Sequence, residues 1–226
     1  MVGRVSTGIK GLDGLLDGGF PERSLILLAG GPGAEKTIFS GMFLYEGLKK
    51  EESSTYVTFT ETEGKILREF DQLGMDFSPY QRRNTFKVLD MSIGEEMEME
   101  DAASEIMDAA RTVGADRLVI DSLSSMVTGL QSDQKRRRYV RVIYRVLERL
   151  GCTSIAISEI PTLGKGTNYG FEEFLADGVI VLRSEYEENE LKRRMEILKM
   201  RGTDHSREVQ RYYLTDNGFE LAKYRV

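Results

Sequence analysis

A chain of 226 residues with net charge −6, 40% hydrophobic and 30% charged residues can bury one ordinary core, and the acidic balance excludes nucleic acid over most of its surface. The apolar run around Leu25–Ala29 is far too short to span a bilayer, and the opening MVGRVSTGIK carries no apolar export signal. A single cysteine, Cys152, excludes an internal disulfide and points to a reducing, cytoplasmic setting.

In chain order, SLILLA (24–29) predicts a buried strand, with a helix over 36–49 after the loop that follows. TYVTF (55–59) predicts a second strand, then a helical stretch at 64–73. FKVLD (86–90), RLVID (117–121), TSIAIS (153–158) and GVIVLR (178–183) are further strands, separated by helical patterns at 101–113 and 133–150. This alternation of apolar strands and helices predicts a mostly parallel sheet covered on both faces. The last stretches, ENELKRRMEILKMRG, REVQRYYLTDNG and FELAKY, predict antiparallel strands joined by short turns. The four prolines mark no linker, so 1–226 is expected to form one domain.

Residues 30–37 read GGPGAEKT, between a strand and a helix. Seven of the eight letters suit a phosphate-binding loop, in which backbone N–H groups and the helix end cradle phosphate. Lys36 would reach the β- and γ-phosphates, and the Thr37 hydroxyl would ligand Mg²⁺. Glu35 stands where a glycine is expected. If that position needs φ > 0, its Cβ costs about 1–2 kcal/mol. Its charge repels a triphosphate, and it could itself mimic bound phosphate. The carboxylate is expected either to pair with Lys36 when the site is empty or to swing into solvent when phosphate enters. Asp121, closing an apolar strand, suits the aspartate that orients Mg²⁺.

Longer matches identify the chain as a member of the KaiC-type family of the RecA/RadA superfamily. They run from STGIKGLDGLLDGGFPERSLILLAGGPG through YVTFTE, VIDSLSSM and NYGFEEFLADGVIVLR to ILKMRGTDHS and YYLTDNGFEL. The resemblance implies an α/β, RecA-like P-loop core with a C-terminal antiparallel β margin. It also implies ATP with Mg²⁺ bound between subunits of a homo-hexameric ring. Gly31, Gly33, Ala34, Glu35, Lys36, Thr37 and Ile38 would contact the nucleotide from its own subunit. Met200, Thr203, His205, Thr215 and Asp216 would contact it from the neighbour, beside Lys199 and Arg201 acting on the γ-phosphate as an arginine finger does.

The family pattern places two glutamates after the second strand, where this chain has Thr60 and Glu61. With strand alternation, Thr60 shares a face with Tyr56 and Thr58, so Glu61 could replace a missing base at position 60 only at a bulge or strand end. Weak or absent hydrolysis and a regulatory role, with a protein client, are therefore expected. The rival is an active ATPase using Glu61. Lys199 and Arg201 are expected to share a strand face with Arg193, Met195 and Ile197. Arg138, Arg141, Arg145 and Arg149 form one stripe of an amphipathic helix, with Tyr139, Ile143, Val146 and Leu150 on another. A solvated or partner-paired basic face is the favoured reading, and DNA binding by a recombinase paralogue the weaker one. GEEMEMED (94–101) suits a solvated loop entering a helix.

Overall fold

A computed structural model describes residues 3–92, 99–128, 130, 132–159, 171–188, 190–216 and 218–222. The stretch 94–98 of the acidic-methionine segment, residues 168–170 and residues 223–224 of the last predicted strand lie outside the described residues.

A short ribbon pairs β1 (Arg4–Val5) with β2 (Phe20–Pro21). The main sheet takes β3 (Leu25–Gly30), β4 (Ser54–Thr58), β5 (Phe86–Asp90), β6 (Arg117–Asp121), β7 (Thr153–Glu159) and β8 (Gly178–Glu187). It is completed by β9 (Glu190–Met200), β10 (Gln210–Thr215) and β11 (Gly218–Leu221), in the order β11-β10-β9-β8-β3-β7-β6-β4-β5. The helices are α1 (Lys36–Lys49), α2 (Glu63–Gln72), α3 (Ser78–Arg82), α4 (Met99–Val113), α5 (Leu123–Met126), α6 (Asp133–Leu150) and α7 (Glu172–Leu175). The strands from β8 to β5 are parallel, and the hairpins β8-β9, β9-β10 and β10-β11 are antiparallel. This is the mostly parallel α/β sheet with an antiparallel C-terminal margin that the strand patterns predict.

Continuous apolar strands suit a sheet that has no wet face. In β3, Ile26 and Leu28 pack with Phe39 and Phe43 of α1 and Phe70 of α2. Leu25, Leu27 and Ala29 project to the other side, into the cluster of Ile106 from α4 and Ile143 and Leu147 from α6. α6 starts at Ser132, whose hydroxyl accepts from Lys135 N, and stops at Gly151, where φ is 70°.

One register shift matters for function. Val179 of β8 pairs with Lys199, but Ile180 pairs with Ile197, so Leu198 is an extra residue in β9. A bulge of this kind breaks the alternation of side chains. Met195, Ile197 and Met200 all belong to the cluster under α1, while Lys199 pairs with Val179 and bonds the Ala176 carbonyl, both on the α6 side. The expected common face of Arg193, Met195, Ile197, Lys199 and Arg201 is therefore corrected: the two cations before the turn lie across the sheet from the apolar residues.

Candidate nucleotide site

Four parallel strands end together. Gly30 pairs with Glu159 and Leu182, and Thr58 with Asp121, so the loop after β3 sits at the carboxyl edge of the sheet. The loop takes the left-handed conformation twice, at Gly33 (φ 70°) and at Glu35 (φ 63°). A side chain is disfavoured at both, and only Glu35 bears one.

The Lys36 ammonium donates to the carbonyls of Gly30 and Gly31, each at 2.9 Å. Burial lowers its pKa, against the attraction of Glu159, Asp121 and Glu35. The Thr37 hydroxyl donates to Asp121 Oδ2 at 2.9 Å, and the fully buried Tyr56 hydroxyl donates to the same oxygen at 2.6 Å. Burial also pushes the Asp121 carboxyl up, opposed chiefly by these two hydroxyls. Asp121 and Thr37 thus face each other across the loop mouth as hard oxygen donors. Among the described residues, no group of three or more His, Cys, Asp or Glu could hold a metal by itself. A pair of oxygen donors, completed by water and phosphate, suits Mg²⁺, which is seldom caged by protein alone.

Glu35 pairs with neither Lys36 nor solvent. Its Oε1 accepts from the Arg193 guanidinium at 2.8 Å, and both side chains are largely covered. The expected Glu35–Lys36 pair of the empty site is corrected. Lys36 is already satisfied by two carbonyls, and β9 supplies a stronger, forked donor. Tyr212 of β10 donates to the Ala34 carbonyl at 3.0 Å, so the C-terminal margin braces the same loop. Ala34 and Ile38 are buried beneath it.

After β4 the chain turns sharply. β4 ends at Thr58, whose Oγ1 accepts from Glu61 N at 3.1 Å and donates to Glu61 O at 2.8 Å. The strand alternation expected through Thr60 and Glu61 therefore stops short of them. Thr60 is exposed, whereas the half-buried Glu61 pairs with Lys65 and its charge raises Asp121. Glu69 of α2 is raised by burial and by Glu61 and Glu35, so carboxylates crowd this edge.

The remaining candidates lie elsewhere. Gly178 pairs with Met200 at the amino edge of β8, so Lys199 and Arg201 sit at the end of the sheet opposite to the loop. Lys199 donates to the Glu173 and Ala176 carbonyls, and Arg201 to Asp177 Oδ1 at 3.0 Å. Thr203 Oγ1 accepts from Arg4 at 2.6 Å, His205 Nδ1 lies 2.9 Å from the Ser206 carbonyl, and Thr215 and Asp216 belong to the β10-β11 turn. Sequence reasoning missed Arg193, Tyr56, Tyr212 and Glu69. Tyr56 had a signal, since a tyrosine inside a buried strand needs a partner for its hydroxyl. Arg193 had none, because its approach to Glu35 depends on β9 folding back beside β8.

The family profile described as ATPase: KaiC matches residues 5–225. The chain belongs to the KaiC family. A UPF0273 protein of Thermotoga maritima is 34% identical to it over 98% of this chain and 96% of that protein. The circadian clock protein KaiC3 of Synechocystis is 32% identical over 90% of this chain, which corresponds to 42% of that longer protein. The crystal structure of KaiC-like protein PH0186 from Pyrococcus horikoshii superposes with a TM-score of 0.90 at 35% identity, covering 99% of this chain and all of that one. A KaiC-type, RecA-like fold is thereby established for the chain, and nucleotide binding is the property its family typically carries. Among the described residues, no helix is long and apolar enough to cross a membrane.

Proposed function

We propose that residues 1–226 act as one cytoplasmic, KaiC-type nucleotide-binding domain that holds ATP with Mg²⁺ on the loop 31–37 and hydrolyses it slowly. The observation that carries this reading is the Thr37–Asp121 contact at 2.9 Å, beside a half-buried Lys36 at the mouth of a strand-loop-helix turn. Mg²⁺, when bound, would neutralise phosphate charge between those two oxygens. Lys36 would leave the Gly30 and Gly31 carbonyls for the β- and γ-phosphates. Lys199 and Arg201 lie too far along the sheet to serve their own loop, which favours their action on the nucleotide of an adjacent copy. Met200, Thr203, His205, Thr215 and Asp216 would then belong to that adjacent copy's contribution, in a ring of six. The slow turnover rests on Glu35, whose strained backbone and carboxylate oppose triphosphate, and on Thr60, which cannot accept a proton at neutral pH. Such a protein would act on a protein client as a regulator.

The strand end at Thr58 favours a second reading, an active ATPase in which Glu61 takes the proton of the attacking water once Lys65 releases it. The DNA-binding reading gains little. Arg138 lies 3.9 Å from Glu100, and Arg141 stacks on Phe171, so the stripe is partly engaged within the chain.

Steady-state phosphate release with Mg²⁺ and ATP separates the two. Turnover well below 1 s⁻¹ that Thr60→Glu raises supports the regulator; ordinary turnover of about 1 s⁻¹ or more, lost in Glu61→Gln, replaces it with the ATPase.

A further inference from the structure

At the sheet end remote from the phosphate loop, α6, the turn before β3 and the segment leading into β8 enclose a cavity of about 410 Å³. Its wall is unusually cationic. Arg23, Arg141, Arg145 and Arg201 line it against two carboxylates, Glu148 and Asp177. Asp177 is already committed, since Oδ1 accepts from Arg201 and Oδ2 from Leu25 N at 3.1 Å. Setting that pair aside leaves three arginines and one glutamate, a local excess of +2.

The floor asks for nothing further. The Tyr144 hydroxyl donates to the Glu172 carbonyl at 3.0 Å, and the Cys152 thiol to the Ala115 carbonyl at 2.9 Å. Burial pushes that thiol up to about 11, so it stays protonated. The arginines are different. Among the described residues, neither Arg23 nor Arg145 has an ion-pair or side-chain hydrogen-bond partner. Arg141 lies over the Phe171 ring at 5.1 Å, a contact that orients the guanidinium and leaves its N–H edge free. Arg141 and Arg145 stand one turn apart on α6, where like charges repel unless an anion lies between them. The Arg23 turn is pinned by its own N–H on Thr153 Oγ1 at 3.0 Å.

We infer that this cavity is a second anion site, built to take a phosphate group. Forked guanidinium donors match phosphate oxygens in pairs. A phosphate monoester carries about −1.5 to −2 at neutral pH, which matches the local excess. The volume falls within the range of small-molecule pockets. The phosphate can come from two sources: a free phosphorylated molecule, or the nucleotide of an adjacent copy, since Arg201 belongs to both this wall and the proposed trans contact.

The test uses the full chain carrying Lys36→Ala, so that the phosphate loop competes only weakly, titrated calorimetrically with inorganic pyrophosphate without Mg²⁺. One pyrophosphate per chain should bind. Adding Arg23→Gln and Arg145→Gln should weaken it at least tenfold, and adding Glu148→Gln instead should tighten it. All three side chains are exposed, so melting temperatures should hold. Failure of the Lys36→Ala chain to bind, or equal affinity after loss of both arginines, overturns the proposal. Light scattering with ATP then names the source, using Arg23→Gln with Arg145→Gln in the chain that keeps Lys36. Unchanged assembly assigns the site to a free molecule, and lost assembly to the neighbour's nucleotide. Because the titrated chain already lacks the loop's Lys36, its failure leaves the proposed nucleotide function standing.

Discussion

Glu35 holds a left-handed backbone at φ 63° and a carboxylate on Arg193 at 2.8 Å, two separable reasons to expect weak ATP binding. Glu35→Gly removes both, and each 1.4 kcal/mol recovered is about tenfold in affinity. Calorimetric titration with ATP and Mg²⁺ should show that gain, with Glu35→Gln recovering only the charge part. Equal affinity of Glu35→Gly and the parent would make the residue a harmless variant. Arg193 freed of Glu35 could meet phosphate itself, so Arg193→Ala should cancel part of the gain only in the Glu35→Gly background. Asp121 offers a pH test. Its folded pKa is raised by burial above the ordinary 3.8. A raised carboxyl contributes stability that is present below its ordinary value and lost as pH rises through the folded value. Urea titrations of the ligand-free chain should therefore show an Asp121 contribution to stability that falls with pH across that window. Asp121→Asn should flatten that slope while abolishing the Mg²⁺ dependence of ATP binding.

At the scale of elements, the fold hangs on joints that no single segment predicts. Arg117 opens β6, is fully buried, and ties three segments together. It bonds Glu52 through two guanidinium nitrogens and donates to the Ser6 and Phe43 carbonyls, both at 2.8 Å. Removing one partner of a buried pair leaves an uncompensated charge and costs about 3–5 kcal/mol. Glu52 is partly exposed, so Glu52→Ala should fall below that range, at about 2–3 kcal/mol by urea denaturation. A change below about 0.5 kcal/mol would show that the carbonyls alone hold the guanidinium. The β9 bulge is the other joint. The strand pattern of 190–200 was legible, and the antiparallel margin with it. The extra residue at Leu198 was not, because a bulge is a property of the pairing with β8 and leaves no mark in one strand's own alternation.

For the whole molecule, the phosphate loop and the Lys199–Arg201 pair occupy opposite ends of one sheet. If that pair acts on the nucleotide as proposed, a complete site needs two copies. Light scattering with saturating ATP should show a multimer, with six copies expected, and a monomer at every concentration would remove the trans contact. Complementation is sharper. The Lys36→Ala chain lacks the loop's cation but keeps Arg201, and the Arg201→Ala chain has the reverse. Each alone should be inactive, and a mixture should recover part of the parent's phosphate release. A mixture as inactive as its components would mean that Arg201 does not act between copies.

The sequence by itself determined the chain's α/β class, the loop with its misplaced glutamate, Asp121 at a strand end and the family. Each is written in contiguous residues, where spacing alone sets which groups share a face or a turn. Only the tertiary structure decided the partner of Glu35, the exit of the chain at Thr58 that brings Glu61 near Asp121, and the face on which Lys199 lies. It also gathered Arg23 and Arg201 beside the α6 stripe, from places 178 residues apart in the numbering. Those outcomes depend on strand register and on where a strand stops, which are settled by pairing between distant segments. A side chain's own neighbours in the chain carry no record of that pairing.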